Sequence, residues 1–281
     1  MSLGRLGRNR VARALPALAV VLSFAACAHA PRADAGASQL PGDVFARVAA
    51  ARAAGRPALA IFGLDGTLLD PAARNREIFS LAFDGPDPVV NPPRPDLSTA
   101  IRALPLSEHD ADPAATLRKI GVTDSAFVRA VLTRWNQDFY SNRFLSRDEP
   151  VPGAAGLVDS LYARGCTIVY LSGRDARRML AGTAQSLFER GFPAGAPRTM
   201  LVLKPERTTP DSTYAAHALD DLAAYGNVVA VFESDPARVQ MLHARFPGAL
   251  AFRVDTKQAT GASAAGPGVT SLKDFTGFRL P

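Results

Sequence analysis

Short apolar runs alternate with amphipathic segments along most of the chain, and this alternation predicts an α/β fold. The run Ala58–Phe62 (ALAIF) is apolar throughout, as expected of a strand that a parallel sheet buries on both faces. Four further runs of this kind follow in the second half of the chain: Cys166–Leu171, Met200–Leu203, Asn227–Phe232 and Ala249–Val254. Strands that alternate with helices through short loops predict a three-layer arrangement around a parallel sheet.

Residues 71–150 interrupt the alternation between the first and second strands and predict a helical insertion. The helices predicted there are Pro71–Phe83, Leu97–Leu104, Ala114–Ile120 and Ser125–Tyr140. Those predicted outside it are Asp43–Ala54, Gly153–Arg164, Arg174–Arg190, Pro210–Tyr225 and Pro236–Phe246. The proline-rich stretch Gly85–Pro95 predicts irregular structure. An apolar stripe along the last insertion helix predicts core packing, and Trp135 in that stripe is also a candidate contact to a ligand.

The first 26 residues predict a signal peptide. Arginines precede the apolar stretch Ala14–Ala26, which is too short to span a bilayer as a permanent helix. The sequence Phe24-Ala25-Ala26-Cys27 resembles a bacterial lipobox, whose cysteine is lipidated and becomes the mature N-terminus. A cut after Ala30, which would release a soluble secreted protein, and an uncleaved anchor are the alternatives. We therefore expect a protein of the cell envelope, lipid-anchored through Cys27 and facing the periplasm, or secreted.

Composition separates two further segments from the folded body. Residues 27–42 are rich in Ala, Gly, Ser and Pro and predict a flexible tether. Residues 258–281 predict a low-complexity C-terminal tail, whose end could dock as a short terminal piece. The α/β core is then expected to comprise residues 43–70 and 151–257.

Charge and cysteine content argue against two classes of function. The net charge of +6 includes four arginines of the signal peptide, so the remaining chain carries only +2. Since there is also no run of Lys and Arg, we expect no nucleic-acid partner. Cys27 and Cys166 are the only cysteines, which leaves neither a disulfide framework nor a cysteine metal cluster.

Polar residues follow four of the predicted strands, at the point where each strand ends. Gly63-Leu64-Asp65-Gly66-Thr67 follows the first strand, Ser172 the second, Lys204 the third, and Glu233-Ser234-Asp235 the fourth. Open α/β sheets bind their ligands in the crevice at the carboxyl ends of the strands. Hydroxyl, ammonium and carboxylate groups gathered there are of the kind that phosphoryl transfer requires.

In order and position, these four segments resemble the motifs of the haloacid dehalogenase (HAD) phosphohydrolase superfamily, over roughly residues 58–255. The resemblance implies a Rossmann-like core, a C1-type helical cap formed by the insertion, and Mg²⁺-dependent phosphoryl transfer from a phosphorylated small molecule. It makes Asp65 the general acid and base, and it assigns Ser172 and Lys204 to the phosphoryl group. The Mg²⁺ ligands that it implies are Asp65, Glu233 and Asp235.

Each of these residues also has a simpler interpretation. Asp65 could be a turn residue, Ser172 the N-cap of the following helix, and Lys204 a solvated loop residue. Asp235 could equally cap the helix that begins at Pro236. A chance match of an unrelated α/β domain to the motifs is the corresponding alternative for the whole chain.

One position departs from the superfamily pattern. Gly63 stands where the superfamily has its nucleophilic aspartate. Glycine can neither attack phosphorus nor bind Mg²⁺ through a carboxylate, so we expect weakened Mg²⁺ binding and impaired turnover. The alternatives are an active phosphatase that uses a rearranged carboxylate or water, and a non-catalytic envelope protein that binds a phosphorylated ligand or a protein partner.

Overall fold

The structure, a computed structural model, describes residues 42–85, 90, 92–256 and 266–278. These residues belong to the compact unit Ala35–Pro281. The predicted signal peptide, the lipidated Cys27 and almost all of the predicted tether lie outside the described residues. None of the helices within the described ranges combines the length and hydrophobicity that a membrane span requires.

A parallel sheet of six strands lies at the centre of the described residues. Eight strands lie within the described residues, and six of them form this sheet. They are β1 (Ala58–Phe62), β2 (Leu69–Asp70), β3 (Glu149–Pro150), β4 (Thr167–Asp175), β5 (Thr199–Lys204), β6 (Asn227–Glu233), β7 (Leu250–Val254) and β8 (Val269–Leu272). The order across the sheet is β5-β4-β1-β6-β7-β8, and all neighbours are parallel. The short strands β2 and β3 form a separate antiparallel pair at the two ends of the insertion.

The helices lie close to where the apolar periodicity predicts them. They are α1 (Gly42–Ala53), α2 (Ala72–Asp84), α3 (Pro95–Ala103), α4 (Pro113–Lys119), α5 (Ser125–Phe139), α6 (Ala154–Ala163), α7 (Ala176–Glu189), α8 (Asp211–Tyr225) and α9 (Pro236–Arg245). Each begins and ends within two residues of its predicted bounds. Short 3₁₀ turns at Leu106–Glu108 and Asn142–Arg147 follow α3 and α5.

Two hydrophobic clusters cover the two faces of the sheet. Alternate residues of β1 point to opposite faces, so that Phe62 belongs to one cluster and Ile61 to the other. Side chains of α1, α6 and α7 cover the Phe62 face, and side chains of α8 and α9 cover the Ile61 face. The predicted three-layer, Rossmann-like α/β fold is therefore confirmed.

The strand order creates a crevice at the carboxyl end of β1. From β1 the chain passes to β4 and β5 on one side of the sheet, and it then returns to β6 on the other side. Phe62 at the end of β1 is in register with Tyr170 of β4 and Phe232 of β6. The loops after these strands consequently diverge from one point, which is where open α/β sheets bind ligands.

Helices α2 to α5 share a hydrophobic cluster of their own. Its buried members are Phe79, Phe83, Val90, Leu97, Ile101, Leu117, Val122 and Val131. The apolar stripe of α5 packs into it as predicted, with Trp135 partly buried at its edge. The insertion thus has a core separate from that of the sheet, and its function as a cap stays a prediction.

The prediction of a low-complexity tail over residues 258–281 missed a strand. Residues 269–272 form β8, which extends the sheet beside β7. Four partly exposed residues give too weak a pattern to predict an edge strand. Beyond β8, Phe275 and Phe278 pack against Phe232, so the end of the described chain docks on the core.

Candidate functional site

A cavity of about 510 Å³ opens at the crevice, between the ends of the strands and the helical insertion. Four of the predicted site residues line it: Asp65, Ser172, Lys204 and Glu233. The other lining residues that concern its chemistry are Asn75, Trp135, Phe139 and Tyr140 from the insertion and Arg174, Arg207, Asp211 and Arg238 from the core. Asp235, the remaining predicted residue, is not part of the cavity lining.

The loop after β1 is a tight turn that is tied to β6. The carbonyl oxygen of Leu64 accepts hydrogen bonds from the N–H groups of three residues, Thr67 among them, and Gly66 adopts a positive φ of 76°. Thr67 is fully buried, and its Oγ1 donates to Glu233 Oε1 at 3.2 Å and accepts from the N–H of Ser234 at 2.9 Å. This threonine therefore fixes the loop against the end of β6.

The carboxylate of Glu233 fills the space beside Gly63. A Cβ atom added at Gly63 would lie 2.6 Å from Glu233 Oε2 and 2.8 Å from Thr67 Oγ1, both closer than van der Waals contact allows. The φ angle of Gly63 is not positive, so its backbone conformation does not require glycine. The close approach of the Glu233 carboxylate from β6 is therefore the reason that position 63 favours glycine.

The two oxygens of that carboxylate differ in their surroundings. Oε1 accepts hydrogen bonds from the N–H groups of Ser234 (2.8 Å) and Asp235 (3.2 Å) and from Thr67. Oε2 faces Arg238 Nε across 3.8 Å. Glu233 is buried overall, with 4% of its surface exposed. One oxygen is thus anchored by the loop, and the other lies next to Gly63.

Asp65 belongs to a cluster of four charged side chains, which we call the ion cluster: Asp65, Arg74, Asp148 and Arg174. Asp65 Oδ1 accepts from Nη2 of both arginines, and its Oδ2 accepts from Arg174 Nε at 2.8 Å. Asp148 pairs with Arg74 Nε at 2.9 Å and with Arg174 Nη2 at 2.7 Å. Both arginines and Asp148 are buried, whereas 31% of the Asp65 side chain is exposed to the cavity.

The ion cluster keeps Asp65 ionised. Burial acts to raise the pKa of Asp65, but attraction to Arg174 and then to Arg74 outweighs it and holds that pKa well below its usual range. A general acid must carry a proton at the working pH and donate it in the transition state. Asp65 in this arrangement has no proton to donate at neutral pH.

Ser172 and Lys204 are not the simple cap and surface residues that the sequence left open. Ser172 lies within β4, and Asp175 is the N-cap of α7 instead, since it accepts from the N–H of Arg178 at 3.1 Å. Ser172 Oγ accepts from the N–H of Arg174 at 3.2 Å, which leaves its own proton free for a ligand. Lys204 is largely buried, and its Nζ lies 2.7 Å from Asp211 Oδ1.

Asp235 has the second of the two functions that the sequence allowed. Its Oδ1 accepts from the N–H of Arg238 at 2.8 Å, so it is the N-cap of α9. Its side chain is therefore bonded to the first turn of α9 rather than to Glu233. Asp235 thus acts as a helix cap and does not line the cavity together with Glu233, its predicted partner in binding a metal.

The predicted magnesium ligands Asp65, Glu233 and Asp235 are not assembled into a cation site. Within the described residues, no group of three or more His, Cys, Asp or Glu side chains is placed to hold a metal ion. Mg²⁺ requires near-octahedral oxygen coordination, usually with one or two carboxylates free to bind it. Both carboxylate oxygens of Asp65 are bonded to guanidinium groups, and Gly63 supplies no carboxylate. The residues of this site do not fit Mg²⁺.

Aromatic side chains form the wall of the cavity on the insertion side. Trp135 stacks on Phe139 with ring centroids 4.4 Å apart, and Trp135 Nε1 donates to Asn75 Oδ1 at 3.0 Å. The guanidinium of Arg207, from the loop after β5, lies 5.4 Å from the ring centre of Tyr140. The cavity is therefore polar and charged at the strand ends and aromatic beneath the insertion.

The sequence did not identify the partners of Asp65. Arg174 lies two residues beyond Ser172, near the end of the same strand, and this position was the one feature of the sequence that could have marked it as a site residue. Arg74 and Asp148 both lie in the insertion, within no motif, and only the folded chain brings them into the ion cluster. Arg238 was likewise missed, because a helical arginine carries no local sign of facing a cavity.

No protein-family model and no curated protein sequence matches the chain. Solved structures do resemble it. Protein tyrosine kinase A from Mycobacterium tuberculosis is 22% identical, with 77% of this chain and 93% of that chain covered and a TM-score of 0.46. CbbY from Rhodobacter sphaeroides, solved with phosphate, is 14% identical, with 78% and 95% covered and a TM-score of 0.44.

A haloacid dehalogenase-like hydrolase from Streptococcus pneumoniae is also similar. It is 13% identical, with 76% of this chain and 93% of that chain covered and a TM-score of 0.42. Likenesses at these identities and TM-scores do not by themselves establish a family for the chain. What the site can do follows from its own residues.

Proposed function

We propose that this chain is a HAD-like protein that binds the phosphate group of a small molecule and does not hydrolyse it efficiently. The observation that carries the proposal is the pairing of Gly63 with Glu233. At the position of the nucleophile there is no carboxylate, and the space for one is occupied from the neighbouring strand. Asp65, Ser172, Lys204 and Glu233 nevertheless line one cavity, in the order and at the strand ends where the HAD motifs would put them.

Phosphate binding is supported by the donors that the cavity offers. Lys204, Arg207 and Arg238 line it outside the ion cluster. The partner of Lys204, Asp211, has 86% of its side chain exposed, so its carboxylate can return to solvent when a ligand phosphate takes its place beside the ammonium. Together with the hydroxyl of Ser172, these cations provide the charge-assisted hydrogen bonds that recognise phosphate.

Slow turnover is supported by two independent features. The chain lacks the side chain that would form a phosphoenzyme intermediate, and this intermediate is what divides the difficult step in covalent catalysis. Asp65, the residue that would protonate the leaving group, is held in its ionised form by Arg174 and Arg74. Restoring one of the two functions would therefore leave the other missing.

The test compares binding with hydrolysis. The purified chain is assayed with 4-nitrophenyl phosphate and Mg²⁺ beside the variants Asp65→Ala and Gly63→Asp, and its binding of inorganic phosphate is measured by isothermal titration calorimetry. We expect measurable phosphate binding, and hydrolysis by the natural chain no faster than by Asp65→Ala. Robust hydrolysis by the natural chain that Asp65→Ala abolishes would contradict the proposal, and so would the absence of phosphate binding.

A second candidate function is an active phosphatase that uses a rearranged carboxylate. It is favoured by the position of Glu233 Oε2, which lies beside Gly63 and faces Arg238 Nε across 3.8 Å. In this case Glu233→Gln would abolish the hydrolysis that the natural chain shows. If the natural chain shows none, this candidate is excluded.

The place of action is proposed from the N-terminal sequence alone. The arginine-rich start, the short apolar stretch and Cys27 support a lipid-anchored protein of the cell envelope, with a secreted form as the alternative. In a bacterial host, a lipidated chain would fractionate with membranes and Cys27→Ser would release it. Membrane association that is unchanged in Cys27→Ser would contradict lipid anchoring.

A further inference from the structure

We infer that the cavity binds its phosphate group without a divalent cation, because arginine side chains already occupy the carboxylate oxygens of Asp65 and other hydrogen-bond donors hold the carboxylate of Glu233. The inference rests on the proposed function for its ligand. Whether the site binds a divalent cation depends on the protein alone and can be tested without any ligand.

Asp65 is saturated by guanidinium groups. Arg174 binds it through two nitrogens, Nε to Oδ2 and Nη2 to Oδ1, and Arg74 Nη2 also reaches Oδ1. This bidentate geometry is the one in which arginine binds carboxylates most strongly. The backbone carbonyl oxygen of Asp65 faces a donor as well, Ser234 Oγ at 3.4 Å. A cation would have to displace these groups to reach Asp65.

Displacement is opposed by the burial of the ion cluster. The side chains of Arg74 and Arg174 are 0% and 1% exposed, and each also pairs with the buried Asp148. The four side chains carry two positive and two negative charges, so the cluster is neutral as it stands. Withdrawing Asp65 toward a metal would leave a buried positive charge without its partner, which proteins avoid strongly.

Glu233 offers too little to hold a metal by itself. Its Oε1 is engaged by two backbone N–H groups and by Thr67. Its Oε2 lies next to Arg238, and a metal there would meet the positive charge of that guanidinium at short range. Glu233 would therefore give Mg²⁺ at most one carboxylate oxygen, beside a guanidinium, and the remaining ligands would have to come from water and phosphate.

Arginine and lysine can supply the positive charge that a phosphate dianion needs. Arg238 lies between the carboxyl ends of β6 and β4, since its Nε is 3.8 Å from Glu233 Oε2 and its Nη1 is 3.9 Å from where a Cβ would stand at Gly173. It is 40% exposed, so a ligand in the cavity can reach it. Arginine remains charged at any physiological pH, so this form of neutralisation requires neither a metal nor a proton.

The ligand test measures phosphate affinity with and without the metal. Inorganic phosphate is titrated into the purified chain by calorimetry, once with EDTA and once with excess Mg²⁺. We expect dissociation constants that agree within about twofold. Affinity that improves tenfold or more with Mg²⁺, equivalent to about 1.4 kcal/mol, would overturn the inference.

Arg238→Ala and Arg245→Ala form a matched pair for the same titration in EDTA. Both arginines lie on α9, and both side chains are 40% exposed, but Arg245 pairs with Asp220 and does not line the cavity. We expect Arg238→Ala to weaken phosphate binding about tenfold or more and Arg245→Ala to leave it unchanged. Equal affinities of the two variants would overturn the assignment of Arg238.

The protein test uses Mn²⁺ as the probe and involves no phosphate. Free Mn²⁺ is followed by electron paramagnetic resonance as the chain is added, and we expect its signal to be unchanged up to millimolar metal. Stoichiometric loss of the signal would overturn the inference. If phosphate fails to bind in either buffer, the proposed function fails, whereas the Mn²⁺ result still decides whether the site holds a cation.

Discussion

At the scale of single residues, Gly63 and Glu233 are complementary. The glycine leaves room that the glutamate fills, and neither residue is explained alone. Taken from the sequence alone, a strand-end glycine at the position of the superfamily's nucleophilic aspartate suggests only a loss. In the structure, the carboxylate that is missing after β1 is replaced in space by the carboxylate of Glu233 from β6, which Thr67 and the loop N–H groups hold in place.

This complementarity predicts that even a methyl group at position 63 is destabilising. Gly63→Ala would place a carbon 2.6 Å from Glu233 Oε2, so the carboxylate must move, and this movement disturbs the hydrogen bonds that its Oε1 accepts. We expect a loss of roughly 1–3 kcal/mol in the free energy of unfolding, measured by urea denaturation. The matched control is Gly173→Ala, where the added carbon meets nothing closer than 3.9 Å. Equal stability of the two variants would contradict the account of Gly63.

At the same scale, Asp65 stabilises the protein through its two arginines. Asp65→Ala leaves two buried guanidinium groups with Asp148 as their remaining acid, and removal of one member of a buried ion pair typically costs about 3–5 kcal/mol. Because Asp65 is one-third exposed, we expect the loss to lie at or below the lower end of that range. Its measurement by urea denaturation also shows whether the Asp65→Ala control of the phosphatase assay is folded.

At the scale of elements, the ion cluster joins the insertion to the core. Arg74 lies on α2, Asp148 lies directly before β3, and Arg174 lies near the end of β4. The two arginines bind both Asp65 and Asp148, and these contacts hold the three elements around the loop after β1. The cavity that α5 and the sheet share therefore has one wall held by buried charges rather than by apolar packing alone.

The insertion also contains a histidine that makes its stability depend on pH. His109 is 1% exposed, and burial, followed by the charge of Arg76, lowers its pKa from 6.5 to about 4. Below about pH 6.5 the unfolded chain binds a proton that the folded chain does not. The stability contributed by neutral His109 is thus complete above that pH and is lost as the pH falls toward about 4.

We expect the free energy of unfolding to fall by roughly 2 kcal/mol from this residue between about pH 7 and pH 4. Urea denaturation across this range checks it, with His109→Gln as the variant that cannot titrate. The pH dependence of the variant should be shallower by that amount. Parallel pH profiles of the two chains would show that His109 is not the group responsible.

At the scale of the whole molecule, the sequence predicted the architecture better than the interactions within the site. Within the described residues, apolar periodicity located each α-helix to within two residues, because burial on one face leaves a regular pattern in the sequence. It also led to Asp65, Ser172, Lys204 and Glu233, because the carboxyl ends of parallel strands converge at one edge of the sheet.

The pairing of those residues could not be predicted in this way. Asp65 is bonded to Arg174, 109 positions away, and Glu233 to Thr67, 166 positions away. Which charges neutralise one another depends on the folded arrangement of the insertion against the core. The sequence identified carboxylates as candidate magnesium ligands, but it did not reveal the arginines that bind Asp65.

The central claim is that the cavity binds a phosphate monoester and leaves it intact. Phosphorus-31 NMR of glucose 6-phosphate, mixed with the purified chain and Mg²⁺, observes both processes in one sample. The account predicts that the ester resonance broadens or shifts as protein is added and that its area stays constant. A resonance of inorganic phosphate that grows faster than in a matched sample of Asp65→Ala would contradict it.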